Sequence, residues 1–136
     1  MQAQDSRTFL GPWSPQLLSV LRIVAGLLFF AHGVVKLFGY PPGAPPGQVP
    51  LLGLFGIAGL LEFVGGLALV LGLYTRPVAF VMSGEMAFAY FIAHAPKGFF
   101  PGTNGGEAAV LYCFIFLFLA AAGGGAWGID TWRRRR

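Results

Sequence analysis

Charge, cysteine and histidine are scarce in this sequence. Only 10% of its 136 residues are charged, against about 25% in a typical soluble domain, so a water-facing surface cannot be built from it. The single cysteine, Cys113, excludes an intrachain disulfide and a CxxC redox pair. Thiol chemistry would need a partner or a cofactor. With two histidines and five acidic residues, no metal-binding motif is present. Nine basic residues give a net charge of +4, but four of the nine are the terminal Arg133 to Arg136 beside Trp132. Such a run suits a juxtamembrane anchor in an anionic leaflet. No folded basic face accompanies it, which argues against a nucleic-acid partner. Also missing is a basic n-region followed by an apolar h-region and a small-residue cleavage site, so the first apolar span is expected to be retained.

Apolar residues fill what remains: 56% of the chain is hydrophobic and the mean hydropathy is +0.70. They fall in long blocks, each near the roughly 20 residues needed to cross about 30 Å of hydrocarbon. Four spans are predicted, at about 17–38, 51–74, 77–95 and 106–127. Helices and closed barrels alone satisfy their backbone in lipid, so the expected fold is an all-α integral membrane four-helix bundle. Residues 1–16 form an N-terminal segment, 17–127 the membrane domain and 128–136 a basic tail. The proline-rich connector "GYPPGAPPGQVP" cannot continue a helix. "YTRP" reads as a tight turn with Thr75 as cap and Pro77 in the first turn of the next helix, and "HAPKGFFPGTNGGE" is long enough to fold over the bundle mouth. Four spans put both termini on one side. The terminal arginines, with Arg7 and Arg76, mark that side as cytoplasmic against Lys36 and Lys97 opposite. Trp13, Trp127 and Trp132 fall there too, as an interfacial belt. The expected orientation is N-in, C-in, in the cell's inner membrane.

Ionisable residues inside apolar spans are expensive and mark candidate sites. On a wheel of 100° per residue, Arg22, Lys36 and His32 share an arc of roughly 80°, with Ala25 and Phe29 along the same stripe. Leu21, Leu27, Leu28, Phe30 and Val34 are left for acyl chains. Glu62 lies near the middle of the second span, flanked at helical spacing by Ala58, Gly59, Gly65 and Gly66. Small residues there let a neighbouring helix approach closely and place Glu62 on a packing seam. Glu85 lies in the third span, on one face with Met82 and Phe88. Several of these groups also admit structural readings. Arg22 and Lys36 can snorkel to opposite interfaces, or pair as Arg22–Glu85 and Lys36–Glu62. Asn104-Gly105-Gly106-Glu107 reads as a capping box, His94 as a satisfied or solvated helix-end histidine, and Arg76 as an orientation signal.

Several short motifs occur in order: His32-Gly33 followed by Lys36, Glu62-x-x-Gly65-Gly66, Leu73-x-Thr75-Arg76, Glu85-Met86, His94-x-Pro96-x-Gly98-Phe99 and Asn104-Gly105-Gly106-Glu107. In this order and spacing the chain resembles the DoxX family of small four-helix membrane proteins, over roughly Leu21 to Asp130. The proline-rich loop has no counterpart in that resemblance. What the resemblance implies is a four-helix membrane fold and a link to thiosulfate:quinone oxidoreduction and membrane-associated thiol redox complexes.

The expected function is a quinone-interacting, redox-associated subunit with a polar intramembrane site. His32 and Lys36 donate to the head group, Phe29, Phe88 and Phe91 line the cleft, and Glu62 and Glu85 are the candidate catalytic carboxylates that relay protons. Electrons come from a soluble redox partner or a small reductant such as thiosulfate. Membrane lipid is the other expected partner, with a homo-oligomer or a larger membrane redox complex as the assembly. The alternatives are an accessory or assembly subunit whose buried charges pair with one another, and a small proton-coupled transporter. A cytochrome using His32 and His94 as axial ligands lacks a matching helical arrangement, so neither haem nor a metal is expected.

Overall fold

The computed structural model describes residues 9–136, so the cytoplasmic placement expected for Arg7 lies outside the described residues. The described residues are helical, without strands. After a single 3₁₀ turn at Gly11–Trp13 come α1 (Ser14–Phe38), α2 (Leu54–Leu71) and α3 (Thr75–Ala89). The last continues through a π turn at Tyr90–His94 and a 3₁₀ turn at Ala95–Lys97. A one-turn α4 (Pro101–Asn104), α5 (Glu107–Ala122) and a short α6 (Ile129–Arg134) complete the chain. Gly11–Phe38, Leu54–Leu71 and Thr75–Lys97 are long and apolar enough to cross a membrane, and Glu107–Ala122 is a shorter apolar helix.

Helix ends follow local chemistry. Pro15 sits in the first turn of α1, where its missing N–H is no loss. At the end of α2, Gly72 takes a left-handed conformation (φ 66°). The Gly72 N–H bonds the Leu69 carbonyl at 3.1 Å and the Leu73 N–H bonds that of Ala68 at 2.9 Å, a Schellman closure. Several boundaries differ from expectation. The second span starts at Leu54, because 51–53 form a turn, and it stops at Leu71. The third begins two residues early, at Thr75. The fourth ends at Ala122, five residues short of 127, because Gly123 adopts φ 87° and turns the chain away. Hydropathy does not register that break, since glycine and alanine leave the apolar run intact.

The four long helices form two hairpins: α1 packs along α2 and α3 along α5, with α2 against α3, while the α1 and α5 backbones stay apart and meet through side chains such as Phe29 and Phe116. Phe29, Leu69, Met82, Phe116 and Leu119 form the centre of the core. The outward face is apolar and exposed, including Leu21, Leu27 and Leu28 of α1, Val64 of α2, Phe80 of α3 and Phe114 of α5. Such a surface is stable in acyl chains and not in water. Phe30 and Val34, expected to meet lipid, are half-buried instead. The Phe30 ring lies 4.7 Å from that of Phe63.

Candidate functional site

The close approach of α1 and α2 builds the site. A Cβ added at Gly33 would come within 2.5 Å of the Phe63 amide nitrogen and 2.8 Å of the Gly59 carbonyl. One at Gly66 would come within 2.5 Å of the Phe30 nitrogen and 2.8 Å of the Gly26 carbonyl. Two glycines seven residues apart on each antiparallel helix therefore let the backbones touch. One turn beyond Gly33, Lys36 lies over Gly59, whose added Cβ would meet the Lys36 Cβ at 2.8 Å. Its ammonium reaches Glu62, one turn beyond Gly59, and Lys36 Nζ stands 2.6 Å from Glu62 Oε1. The Glu62 side chain is 3% exposed and that of Lys36 14%. Of the paired arrangements open to the sequence, Lys36–Glu62 forms, and Lys36 does not snorkel.

A cavity of about 520 Å³ opens between the four long helices, lined by Phe29, His32 and Lys36 of α1, Ala58 and Glu62 of α2, Glu85, Met86 and Phe88 of α3, and Ala109 and Tyr112 of α5. Pro45 of the proline-rich loop and His94 also border it. His32, Lys36, Glu62, Glu85, Phe29 and Phe88 are thus brought together. The His32 ring is exposed and stands edge-on to Phe29 and Tyr112, each at 6.4 Å between centroids. Phe29 is buried against Phe116 at 4.8 Å, whereas Phe88 is largely exposed. Three of the four glutamate oxygens here are buried without a hydrogen-bond partner: Glu62 Oε2, Glu85 Oε1 and Glu85 Oε2. Phe91 does not line the cavity; the π turn that begins at Tyr90 leaves its ring exposed.

The third connector closes over this end of the bundle. Asn104 donates from Nδ2 to the Gly98 carbonyl at 2.7 Å and to the Tyr90 hydroxyl at 3.2 Å, and its Oδ1 accepts from the Gly106 amide at 2.8 Å. His94 Nδ1 lies 3.2 Å from the Asn104 carbonyl, so His94 is a satisfied helix-end histidine. The capping-box expectation is corrected. Gly106 is the N-cap of α5 without a side-chain cap, Asn104 organises the preceding turn, and Glu107 is an exposed first-turn acid that suits the helix dipole.

The opposite end is held by groups whose roles are not those expected from the sequence. Arg22 is buried and neither snorkels nor pairs with Glu85. Its Nη1 donates to the Gly124 carbonyl at 2.6 Å and to that of Trp127. Ser19 joins it, accepting from the Trp127 amide at 3.0 Å. Arg76 donates to the carbonyls of Ala120, Ala121 and Ala122, capping the C-terminus of α5. Thr75 does not cap its own helix. Asp130 does, its Oδ1 accepting from the Tyr74 amide at 2.9 Å and its Oδ2 from the Thr75 amide at 2.8 Å. Burial works to raise the Asp130 carboxyl, but these amides, with Arg134 nearby, hold it below the ordinary aspartate range.

Tyr112 lines the same cavity but carries little signal in the sequence. Its signal was a lone phenol in the apolar run "AAVLYCFIF", one span away from the charges it joins.

The DoxX family model matches residues 17–95, from α1 into the turn that ends α3. An uncharacterised protein of Haemophilus influenzae is 43% identical over 127 residues, which cover 88% of this chain and 92% of that protein. The inner membrane protein YqjF of Escherichia coli is 32% identical over 127 residues, 82% of this chain and 87% of its own. The uncharacterised membrane protein Rv3486 of Mycobacterium tuberculosis is 26% identical over 132 residues, 85% of this chain and 80% of its own. No solved structure matches the chain.

Proposed function

The chain belongs to the DoxX family of membrane proteins, and from that premise we propose that the cavity between its four long helices holds a quinone head group in the inner membrane. The polar lining of an otherwise apolar cavity at membrane depth supports this assignment: one lysine–glutamate pair and three unpartnered carboxyl oxygens. Polar groups placed so in lipid are expensive to maintain and are kept where they serve a ligand or a proton.

The residues fit the group. A quinone ring presents two carbonyl acceptors, and Lys36, His32 and the Tyr112 hydroxyl are donors bordering one cavity. Phe29 and Tyr112 offer ring faces and edges. A bound quinone supplies a carrier of two electrons and two protons. The chain's own part is to orient the ring through Lys36 and His32, keep water from it, and hold protons at Glu85 and Glu62. With one cysteine in the sequence, the electrons come from a soluble partner or a small reductant such as thiosulfate.

Both termini are assigned to the cytoplasm. Ser19 of α1 and Gly124 beyond α5 hydrogen-bond at one end of the bundle, which also carries Arg76 and the terminal arginines, and the positive-inside tendency sets that end inward. A second reading, an accessory subunit of a larger membrane complex, is favoured by the Lys36–Glu62 bridge itself, since a pair already made satisfies its charges without a ligand. Titration of the purified protein with a short-tailed quinone separates the two. Saturable binding supports the head-group site, and its absence favours the accessory role.

A further inference from the structure

We infer that the cavity selects the reduced, hydroxyl-bearing form of the ring over the oxidised one. This rests on the assignment of the cavity to a quinone-type head group and adds which redox state it holds more tightly.

Glu62 Oε1 is taken by the Lys36 ammonium at 2.6 Å. The other oxygen of the same carboxylate, on a residue 2% exposed, has no partner. Glu85 borders the same cavity with neither oxygen partnered, and a buried carboxyl without a cation is a neutral acid that both donates and accepts. A buried acceptor without a donor destabilises whatever state leaves it so. An oxidised quinone brings only carbonyl oxygens. Lys36, His32 and Tyr112 can serve them, but a carbonyl turned toward Glu62 Oε2 sets lone pairs against lone pairs. A hydroquinone brings hydroxyls, each of which donates and accepts. One such ring can donate to Glu62 Oε2 while accepting from Lys36 or His32, and it answers both halves of the lining at once. Recognition of this kind, in which a site built around a hydroxyl is left unpaired by the analogue lacking it, discriminates strongly.

The test uses the full chain purified in detergent, titrated calorimetrically under anaerobic conditions with decylubiquinol and separately with decylubiquinone. The quinol is expected to bind at least tenfold more tightly. Glu62→Gln replaces the unpaired anionic oxygen by an amide that both donates and accepts, so the ratio of the two affinities should fall toward one. Glu85→Gln, which exchanges one donor-and-acceptor for another and spares the ion pair on the α1–α2 seam, should leave the ratio unchanged. Equal affinities, tighter quinone binding, or a ratio unchanged in Glu62→Gln would overturn the selection while leaving the head-group site standing. If neither form binds the wild-type chain, the head-group site itself is overturned.

Discussion

Lys36 and Glu62 meet at 2.6 Å across the helix pair in which both partners carry glycine at the contact, Gly33 opposite Gly59 and Gly26 opposite Gly66. The pair and the seam explain each other. Without the glycines the helices could not close far enough for the ammonium to reach, and without the reach an apolar seam would carry a lone buried charge.

Removing one member of that pair should therefore do more harm than removing both. Glu62→Leu strands the Lys36 ammonium and is expected to destabilise the protein by about 3–5 kcal/mol, the range for a buried pair broken on one side. Glu62→Gln, which keeps the shape and some hydrogen bonding, should assemble. The double variant Lys36→Met/Glu62→Leu should recover most of the loss. Thermal unfolding in detergent gives all four corners of the cycle. A Glu62→Leu protein as stable as wild type would mean that the carboxylate contributes nothing at this seam.

The seam makes a second, steric prediction. Gly33→Ala forces a Cβ to within 2.5 Å of the Phe63 backbone, and overpacking of this sort costs about 1–3 kcal/mol. Gly84, on the outward face of α3, has nothing within 4 Å of an added Cβ. Gly84→Ala should be neutral or stabilising by up to about 1 kcal/mol through helix propensity. Comparable melting shifts for the two alanines would remove the close-approach explanation.

Most of this seam was legible in the sequence, because it depends on residues at helical spacing within single spans. Glu62 among Ala58, Gly59, Gly65 and Gly66 announces a close-packed face, and the shared arc of His32 and Lys36 announces a polar one. What could not be read joins residues far apart in the chain. The carboxylate that caps α3 arrives from Asp130, 55 positions beyond Thr75, and the guanidinium that caps α5 arrives from Arg76, 44 positions before Ala120. Arg22 lies on the same stripe as His32 and Lys36, yet it serves carbonyls at the opposite end of the bundle from the cavity. A helical wheel records direction around the axis, but it does not show which loop waits at each depth. Tyr112 escaped for a similar reason: only the fold shows that its hydroxyl-bearing ring borders the cavity from α5.

Asp130 gives the protein a pH dependence whose sign follows from its cap. Its folded carboxyl is held below the ordinary value, so the stability it contributes is fully present above the unfolded pKa of about 4. That contribution is lost as pH falls through the lower, folded value. Replacing a capping carboxylate by alanine typically costs about 0.5–2 kcal/mol. Asp130→Ala should show that deficit at neutral pH, and the gap to wild type should close on acidification. A gap that stayed constant down through the carboxylate range would show that the charge of Asp130 is not what holds the turn.

A fluorescent reporter fused after Arg136 should fold and emit from the cytoplasm, while one placed in the Pro41 to Gly47 loop should be exported. The Arg76-bearing turn between α2 and α3 lies at the same end of the bundle as α6. A third tag there should therefore agree with the first. An external C-terminus would invert every statement of sidedness.

The His32 ring is exposed at the cavity and edge-on to Phe29 and Tyr112. An exposed imidazole with little packing to lose is a good subject for truncation, because its removal should leave the helix and the Lys36–Glu62 bridge undisturbed. If His32 donates to a head-group oxygen, losing that bond removes about 1–3 kcal/mol of binding, and each 1.4 kcal/mol is a factor of ten in affinity. His32→Ala should therefore bind a short-tailed quinone roughly tenfold more weakly or worse, with unchanged helicity and melting temperature. Glu85→Gln should leave quinone binding in place, since the amide still fits a carbonyl, but slow any turnover that needs a proton delivered. Equal quinone affinity in wild type and His32→Ala would remove His32 from the site. Because His32 and Lys36 stand one helical turn apart on α1, the donor role would then fall to Lys36 and Tyr112, a shift that Tyr112→Phe would detect as a binding loss of its own.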